Sequence, residues 1–134
     1  MDAKVPRCRL PKSERIHLKR SIEELFHSGT AFLIYPLRIV YLHSTIPLEA
    51  RGQMMVSVSK KHFRRANKRN HIKRLVREAY RQNKHPWLRV LEAQSLYGRI
   101  AFANVAKEMP SYAQMERAVK KSIDKIVAQN SHIE

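Results

Sequence analysis

The sequence predicts an α+β fold, an α-β sandwich built on a central, mainly antiparallel sheet of about four strands. Three observations carry this expectation. Apolar spacing switches between helical and strand periods in the order helix, two or three strands, helix, strand, helix. The 134 residues suit one domain over 1–134, which can bury roughly two-thirds of the surface its unfolded chain exposes. A hydrophobic fraction of 43% with only 3 Gly and 6 Pro is too rich in core residues for a disordered basic chain. A basic N-terminus, about 1–8, and a tail, about 129–134, are expected to be loose.

Taken in order, Ile16, Leu18, Ile22, Leu25 and Phe26 predict a first helix that starts between Ser13 and His17 and ends at Gly29, expected there as a left-handed cap. Residues 31–35 and 37–43 are rich in β-branched and aromatic types and are interrupted by Pro36. The second stretch is the better strand, with Tyr41 on the same face as Leu37 and Ile39. Residues 44–52, carrying Pro47 and Gly52, read as a hairpin loop. Over 54–59, alternation places Met54, Val56 and Val58 on one face and Met55, Ser57 and Ser59 on the other. Residues 100–103 repeat this, with Ile100 and Phe102 opposed to Arg99, Ala101 and Ala103. The small side chains either leave a floor open to a ligand or let a helix pack closely. A long helix follows from the pattern over roughly 66–83, and a shorter one from Pro86, at a first helical position, with Trp87 in the core. The last helix opens at Ser111 and Gln114, spaced as a capping box, and runs through Tyr112, Met115, Val119, Ile123, Ile126 and Val127 to near Asn130.

Charge gives the first functional constraint. The 27 Lys+Arg against 11 Asp+Glu leave a formal net charge of +16, which repels itself in the folded state and points to a polyanionic partner, nucleic acid or an anionic membrane surface. Lys60, Lys61, Arg64, Arg65, Lys68, Arg69, Lys73, Arg74, Arg77 and Arg81 crowd into 60–81 with Glu78 as the one acid. On a helix, Ile72, Leu75, Val76 and Ala79 fall in an arc of about 100°, and Asn70, Lys73, Arg74, Arg77 and Arg81 fall in an opposite arc of about 100°. Solvated helix faces usually interleave opposite charges. Here Arg69 with Lys73, Lys73 with Arg77 and Arg77 with Arg81 are like-signed and cost stability unless phosphates neutralise them. Arg suits that task because its planar guanidinium forks two phosphate oxygens or stacks on a base. A membrane partner fits poorly, because the apolar stripe is needed for the core.

Other classes lose support on composition. One cysteine, Cys8, permits neither an intrachain disulfide nor a thiolate zinc cage, and suits a reducing, cytoplasmic setting. No run approaches the ~18–20 apolar residues of a membrane span, and the start lacks the apolar core of a signal peptide. None of the 7 His has metal-site spacing with an acid or thiol, and no nucleophile-base or paired-carboxylate set stands out, so neither catalytic nor metal-binding residues are expected in the protein.

The run Val58-Ser59-Lys60-Lys61, followed by Ala66-Asn67-Lys68-Arg69-Asn70-His71-Ile72-Lys73-Arg74-Leu75-Val76-Arg77-Glu78-Ala79-Tyr80-Arg81, resembles the bacterial ribonuclease P protein component. In that family a strand ending in Ser-Lys-Lys leads to a helix carrying Arg-Asn-x-x-Lys-Arg-x-x-Arg-Glu. Arg9-Leu10, Leu25-Phe26 before Gly29 and the closing amphipathic helix agree too, so the resemblance covers about 9–127.

The resemblance implies an accessory subunit of a ribonucleoprotein endoribonuclease that removes the 5′ leader from precursor tRNA. Hydrolysis would fall to the RNA subunit, using Mg²⁺ bound by the RNA, with no catalytic protein side chain. The implied partners are that RNA, in a 1:1 complex, and precursor tRNA. Arg69, Asn70, Lys73, Arg74 and Arg77 carry over as the face toward the RNA subunit, and Lys60, Lys61, Arg64, Arg65, Lys68 and Arg81 extend the RNA-binding set. A leader cleft between the first helix and the sheet would hold Phe26 and Tyr41, with Ser57 on its floor. The resemblance further implies a left-handed crossover through the basic helix, where general rules expect a right-handed one.

The chain departs from the pattern at His62-Phe63-Arg64-Arg65, where many members have Val-Gly, and at Asn67. The connection is one residue longer and lacks its Gly. Ile22 replaces a cleft aromatic, which removes a stacking partner worth about 1–3 kcal/mol per base and shifts leader binding toward charge. Phe63 offers either a compensating stack or packing beneath the helix, and Glu78 can pair with Arg74 or Arg81. A ribosomal-protein-like or DNA-binding module is the alternative reading, while a nuclease in its own right lacks the needed carboxylate or His cluster.

Overall fold

The computed structural model describes residues 10–131. After a single 3-10 turn, Lys12–Glu14, the elements are α1 (Lys19–Ser28), β1 (Thr30–Ile34), β2 (Leu37–Ser44), β3 (Gly52–Val58), α2 (Ala66–Asn83), α3 (His85–Ala93), β4 (Tyr97–Asn104) and α4 (Tyr112–Ser131). The sheet order is β1-β2-β4-β3. β1 with β2 and β2 with β4 are antiparallel, and β3 runs parallel to β4, joined to it through α2 and α3. This is the expected α+β architecture.

Residues 44–52 do not close a hairpin, because β4 inserts between β2 and β3. The hairpin lies one step earlier, where Tyr35 and Pro36 turn β1 into β2.

Alternation decides which side of each strand meets which helices. Leu37, Ile39, Tyr41, Met54, Val56, Ile100 and Phe102 form one sheet face, packed on Ile72, Val76, Ala79 and Tyr80 of α2, Trp87 and Leu91 of α3, and Met115, Val119, Ile123 and Ile126 of α4. Each fully buried large apolar side chain there contributes about 1.5–3 kcal/mol. Ser111 and Gln114 form the expected reciprocal capping box at the start of α4, with bonds of 3.0 and 3.1 Å. α4 continues to Ser131 with Asn130 buried, so 129–131 of the tail expected to be loose belong to the helix, and 132–134 lie outside the described residues. Cys8 and the N-terminal stretch 1–8 lie outside the described residues.

On the opposite face, α1 sets Leu25 against Val40 and Ala101, with Ile16, Ile22, Leu42 and Met55 around them. Arg99 fastens the helix, donating to the Ser21 carbonyl at 3.0 Å and to Glu24 Oε1 at 2.8 Å. Gly29 is extended rather than left-handed (φ −78°, ψ 163°). Close approach explains it, since a Cβ there would lie 2.4 Å from the Leu25 carbonyl oxygen and 2.7 Å from Val40 Cγ1.

The first helix begins at Lys19, later than expected. After the 3-10 turn, Arg15 and Ile16 instead run along β3, where the Ile16 N–H donates to the Met54 carbonyl at 2.9 Å, while the Gln53 side chain donates from Nε2 to the Ser13 carbonyl at 2.8 Å. Covering the outer edge of β3 satisfies backbone groups that an open edge would leave unpaired. Lys84, at the end of α2, binds Glu14 Oε1 at 2.7 Å and holds the same segment.

Candidate nucleic-acid interface

α2 spans the expected residues and buries Ile72, Val76, Ala79 and Tyr80, with Leu75 half-buried. The turn before it explains how a connection without glycine reaches the helix. The Phe63 N–H donates to the Ser59 carbonyl at 3.2 Å, Ser59 Oγ accepts from the Lys61 N–H at 3.0 Å, and the Phe63 ring is buried in the core. Burial removes Phe63 as a stacking partner for a base. Lys60, Lys61, Arg64, Arg65 and Lys68 stand exposed on this turn and the first helical residues. Arg65 is the N-cap residue, without a side-chain cap and with no acid in the first turn, so fixed cations add to the positive end of the helix dipole.

Arg69 makes bonds that its place in the motif does not predict. Its Nη1 donates to the carbonyls of Phe63 at 2.8 Å and Arg64 at 2.7 Å, one turn back. That guanidinium satisfies the turn that carries the exposed cations. One turn further along, Asn70 and Arg74 are exposed and Lys73 and Arg77 are partly so. Arg81 is bound to the Glu78 carboxylate, which also accepts from Gln82 Nε2 at 2.6 Å. Arg81, and after it Gln82, hold the Glu78 carboxyl below the usual carboxylate range. Of the two partners open to Glu78, the structure selects Arg81.

Asn70, Arg74, Arg77, Glu78 and Arg81 of α2 line a cavity of about 340 Å³ together with Leu10 and Arg15. Next to it, a groove of about 490 Å³ follows the 12–17 segment along β3, lined by Lys12, Arg15, Ile16, His17, Met55 and Arg77 among others. Partial burial first, and the Arg15 charge second, lower the Arg77 pKa. Lys12, Arg15 and His17 belong to no motif read from the sequence. Local periodicity carries no signal for them, because the bonds that place this segment run to Met54 and Gln53 of β3.

The small-residue face fulfils both of its readings, at different rows of the sheet. Ala101, 3% exposed, lets α1 approach, whereas Ala103 lies in the next row, Leu33–Arg38–Ala103–Ser57, where Leu33, Arg38 and Ser57 are exposed. Phe26 is half-exposed on α1, outside both apolar clusters. Tyr41 does not share this side. It packs with Ile39 against the helical layer, and its hydroxyl donates to Gln129 Oε1 at 2.9 Å, so the cleft assigned to Phe26, Tyr41 and Ser57 loses Tyr41.

This surface can bind phosphates through Arg, Lys and Asn donors and bases through a partly exposed aromatic and apolar rim. Among the described residues, no group of three His, Cys, Asp or Glu could hold a metal ion, and no helix is long and apolar enough to cross a membrane.

Comparison with known proteins identifies the family and the fold. The family model for ribonuclease P matches residues 10–127. A ribonuclease P protein component from Porphyromonas gingivalis is 50% identical over 117 residues, 87% of this chain and 85% of that one. The component from Chlorobium phaeobacteroides is 28% identical over 127 residues, 87% of each chain. The fold is similar to that of the Staphylococcus aureus RNase P protein, with a TM-score of 0.62 at 20% identity, covering 86% of this chain and 95% of that one. With the family model spanning most of the chain and a relative identical at half of the aligned positions, the protein belongs to the ribonuclease P protein component family.

Proposed function

We propose that the chain is the protein subunit of a ribonuclease P holoenzyme, which binds the RNA subunit through α2 and the turn before it, and the single-stranded 5′ leader of precursor tRNA beside α1. One observation supports this most directly: the outward side of α2 is a row of cations and one amide, like-signed at successive turns, on a helix whose other side is fully used by the core. Such a row is stabilised when phosphates displace its counterions. In this reading the RNA performs hydrolysis with Mg²⁺ that the RNA itself holds, in a 1:1 complex. The protein raises affinity for leader-bearing substrate and offsets charge repulsion between two RNAs.

Reconstitution with the cognate RNA subunit tests the division of labour. The purified protein is expected to cleave no precursor tRNA alone, and with the RNA to lower the Mg²⁺ requirement and favour substrates that carry a leader. Cleavage by the protein without RNA would place the chemistry in its side chains and end this proposal. Preference for duplex DNA over structured RNA in competition would favour a DNA-binding module instead.

A further inference from the structure

We propose that Arg15 and Arg77 form a clamp for an RNA backbone phosphate, at the ridge where the basic side of α2 meets the groove along β3. The inference rests on the RNA-binding reading above and adds to it a residue from outside the α2 motif. Arg15 and Arg77 are the two residues common to the linings of both cavities, so a strand running from one to the other crosses between them.

They reach the ridge from different elements. Arg77 projects from α2, and Arg15 from the segment that Ile16 and Gln53 bond to the edge of β3. Neither makes an ion pair among the described residues. The neighbouring acids are engaged elsewhere, Glu14 with Lys84 and Glu78 with Arg81. Two like-charged guanidinium groups thus meet at one ridge, Arg15 anchored by the bonds of its segment to β3 and Arg77 by the buried side of α2, and they repel each other. A phosphodiester can accept hydrogen bonds from both and reverse the sign of that interaction. Beside the ridge, partly exposed Met55 offers apolar surface to a ribose or base.

The test uses the full chain carrying Arg15→Gln. Lys107→Gln, which removes one cation from the exposed connection between β4 and α4, controls for charge alone. Three quantities are measured: the thermal midpoint of the free protein, affinity for the cognate RNA subunit across a salt series, and affinity of the reconstituted complex for precursor tRNA with and without its leader. Arg15→Gln should leave the midpoint unchanged or raise it, because repulsion is relieved. It should weaken RNA binding about five- to eightfold at about 0.1 M salt and flatten the salt slope by about 0.7–0.9, the signature of one lost phosphate contact. Loss in the RNA-subunit arm assigns the phosphate to that RNA, and loss confined to leader-bearing substrate assigns it to the leader. Arg15→Lys, which keeps the charge without the fork, should fall between. Equal behaviour of Arg15→Gln and Lys107→Gln in both RNA arms, or a lowered midpoint with unchanged affinity, overturns the clamp. If the unaltered protein binds neither RNA, the underlying reading fails first.

Discussion

Lowering the pH should destabilise the folded protein through His43. Trp87 Nε1 donates to His43 Nε2 at 2.9 Å, which requires that nitrogen to be an acceptor and leaves the ring proton on Nδ1, facing Asn130 Oδ1 at 3.3 Å. Asn130 is itself fixed, donating from Nδ2 to the Ile126 carbonyl at 2.7 Å and accepting from Gln94 Nε2 at its own carbonyl at 2.7 Å. A second ring proton would set two N–H donors against each other. Burial lowers the His43 pKa, and the bond to Asn130 opposes that shift only in part. Above the ordinary histidine value of about 6.5, both folded and unfolded states are neutral and the interaction is fully present. As pH falls through that value, the unfolded chain takes a proton that the folded state resists, and stability declines. The slope reaches at most about 1.4 kcal/mol per pH unit and levels off once folded His43 titrates too.

Urea unfolding between about pH 8 and pH 5, followed by fluorescence of the single tryptophan, reads this at the site itself. His43→Leu should lower stability at pH 8 by about 1–3 kcal/mol, because a buried indole N–H loses its acceptor, and should flatten the acid slope relative to the unaltered chain. Subtracting the two profiles removes the other histidines. Parallel profiles would refute the assignment.

Two further outcomes follow from packing and from the turn before α2. Gly98→Ala should cost about 1–3 kcal/mol in unfolding free energy, since its Cβ would meet Trp87 Cζ2 at 2.6 Å and Leu91 Cδ1 at 3.0 Å; an unchanged unfolding midpoint would show that the indole yields. Arg69→Ala should lose about 1–2 kcal/mol of stability along with RNA affinity, whereas Arg74→Ala should weaken RNA binding and flatten its salt slope with stability intact. Calorimetry beside salt-series binding separates the two, and identical behaviour would argue that the Arg69 bonds are not maintained in solution.

Legibility of the fold followed the range of the interactions involved. The helical stripe of α2 and the capping box of α4 depend on residues within a few positions of one another and are readable, and the apolar run after Pro86 is enough to place Trp87 inside. The neighbour of β2 was not. Alternation fixes which face a strand buries but not which strand lies beside it, and β4 reaches its place between β2 and β3 only after two intervening helices. The 12–17 segment is illegible for a related reason, because its 3-10 turn and the bridge at Arg15 are held by bonds to Met54 and Gln53, about forty positions away. Tyr41 teaches the opposite lesson. Alternation places it with Leu37 and Ile39, where the structure has it, whereas the family position assigns it to the cleft.

The basic helix shows where residue type stops predicting role. Charge and spacing make Arg69, Arg74, Arg77 and Arg81 equivalent, yet Arg69 bonds to the preceding turn, Arg81 to Glu78, and Arg74 stands exposed. The difference lies in what comes within reach of each guanidinium: unpaired carbonyls one turn back for Arg69, a carboxylate three residues earlier for Arg81, and the partner's charge or solvent for Arg74. A guanidinium bonded to its own backbone still contributes positive potential, but its directional donors are partly occupied, so it steers an anion more than it grips one. Affinity at α2 should therefore be unevenly distributed along the motif, concentrated at Asn70, Arg74 and Arg77, with Arg69 acting by shaping the turn that displays Lys60, Lys61, Arg64 and Arg65.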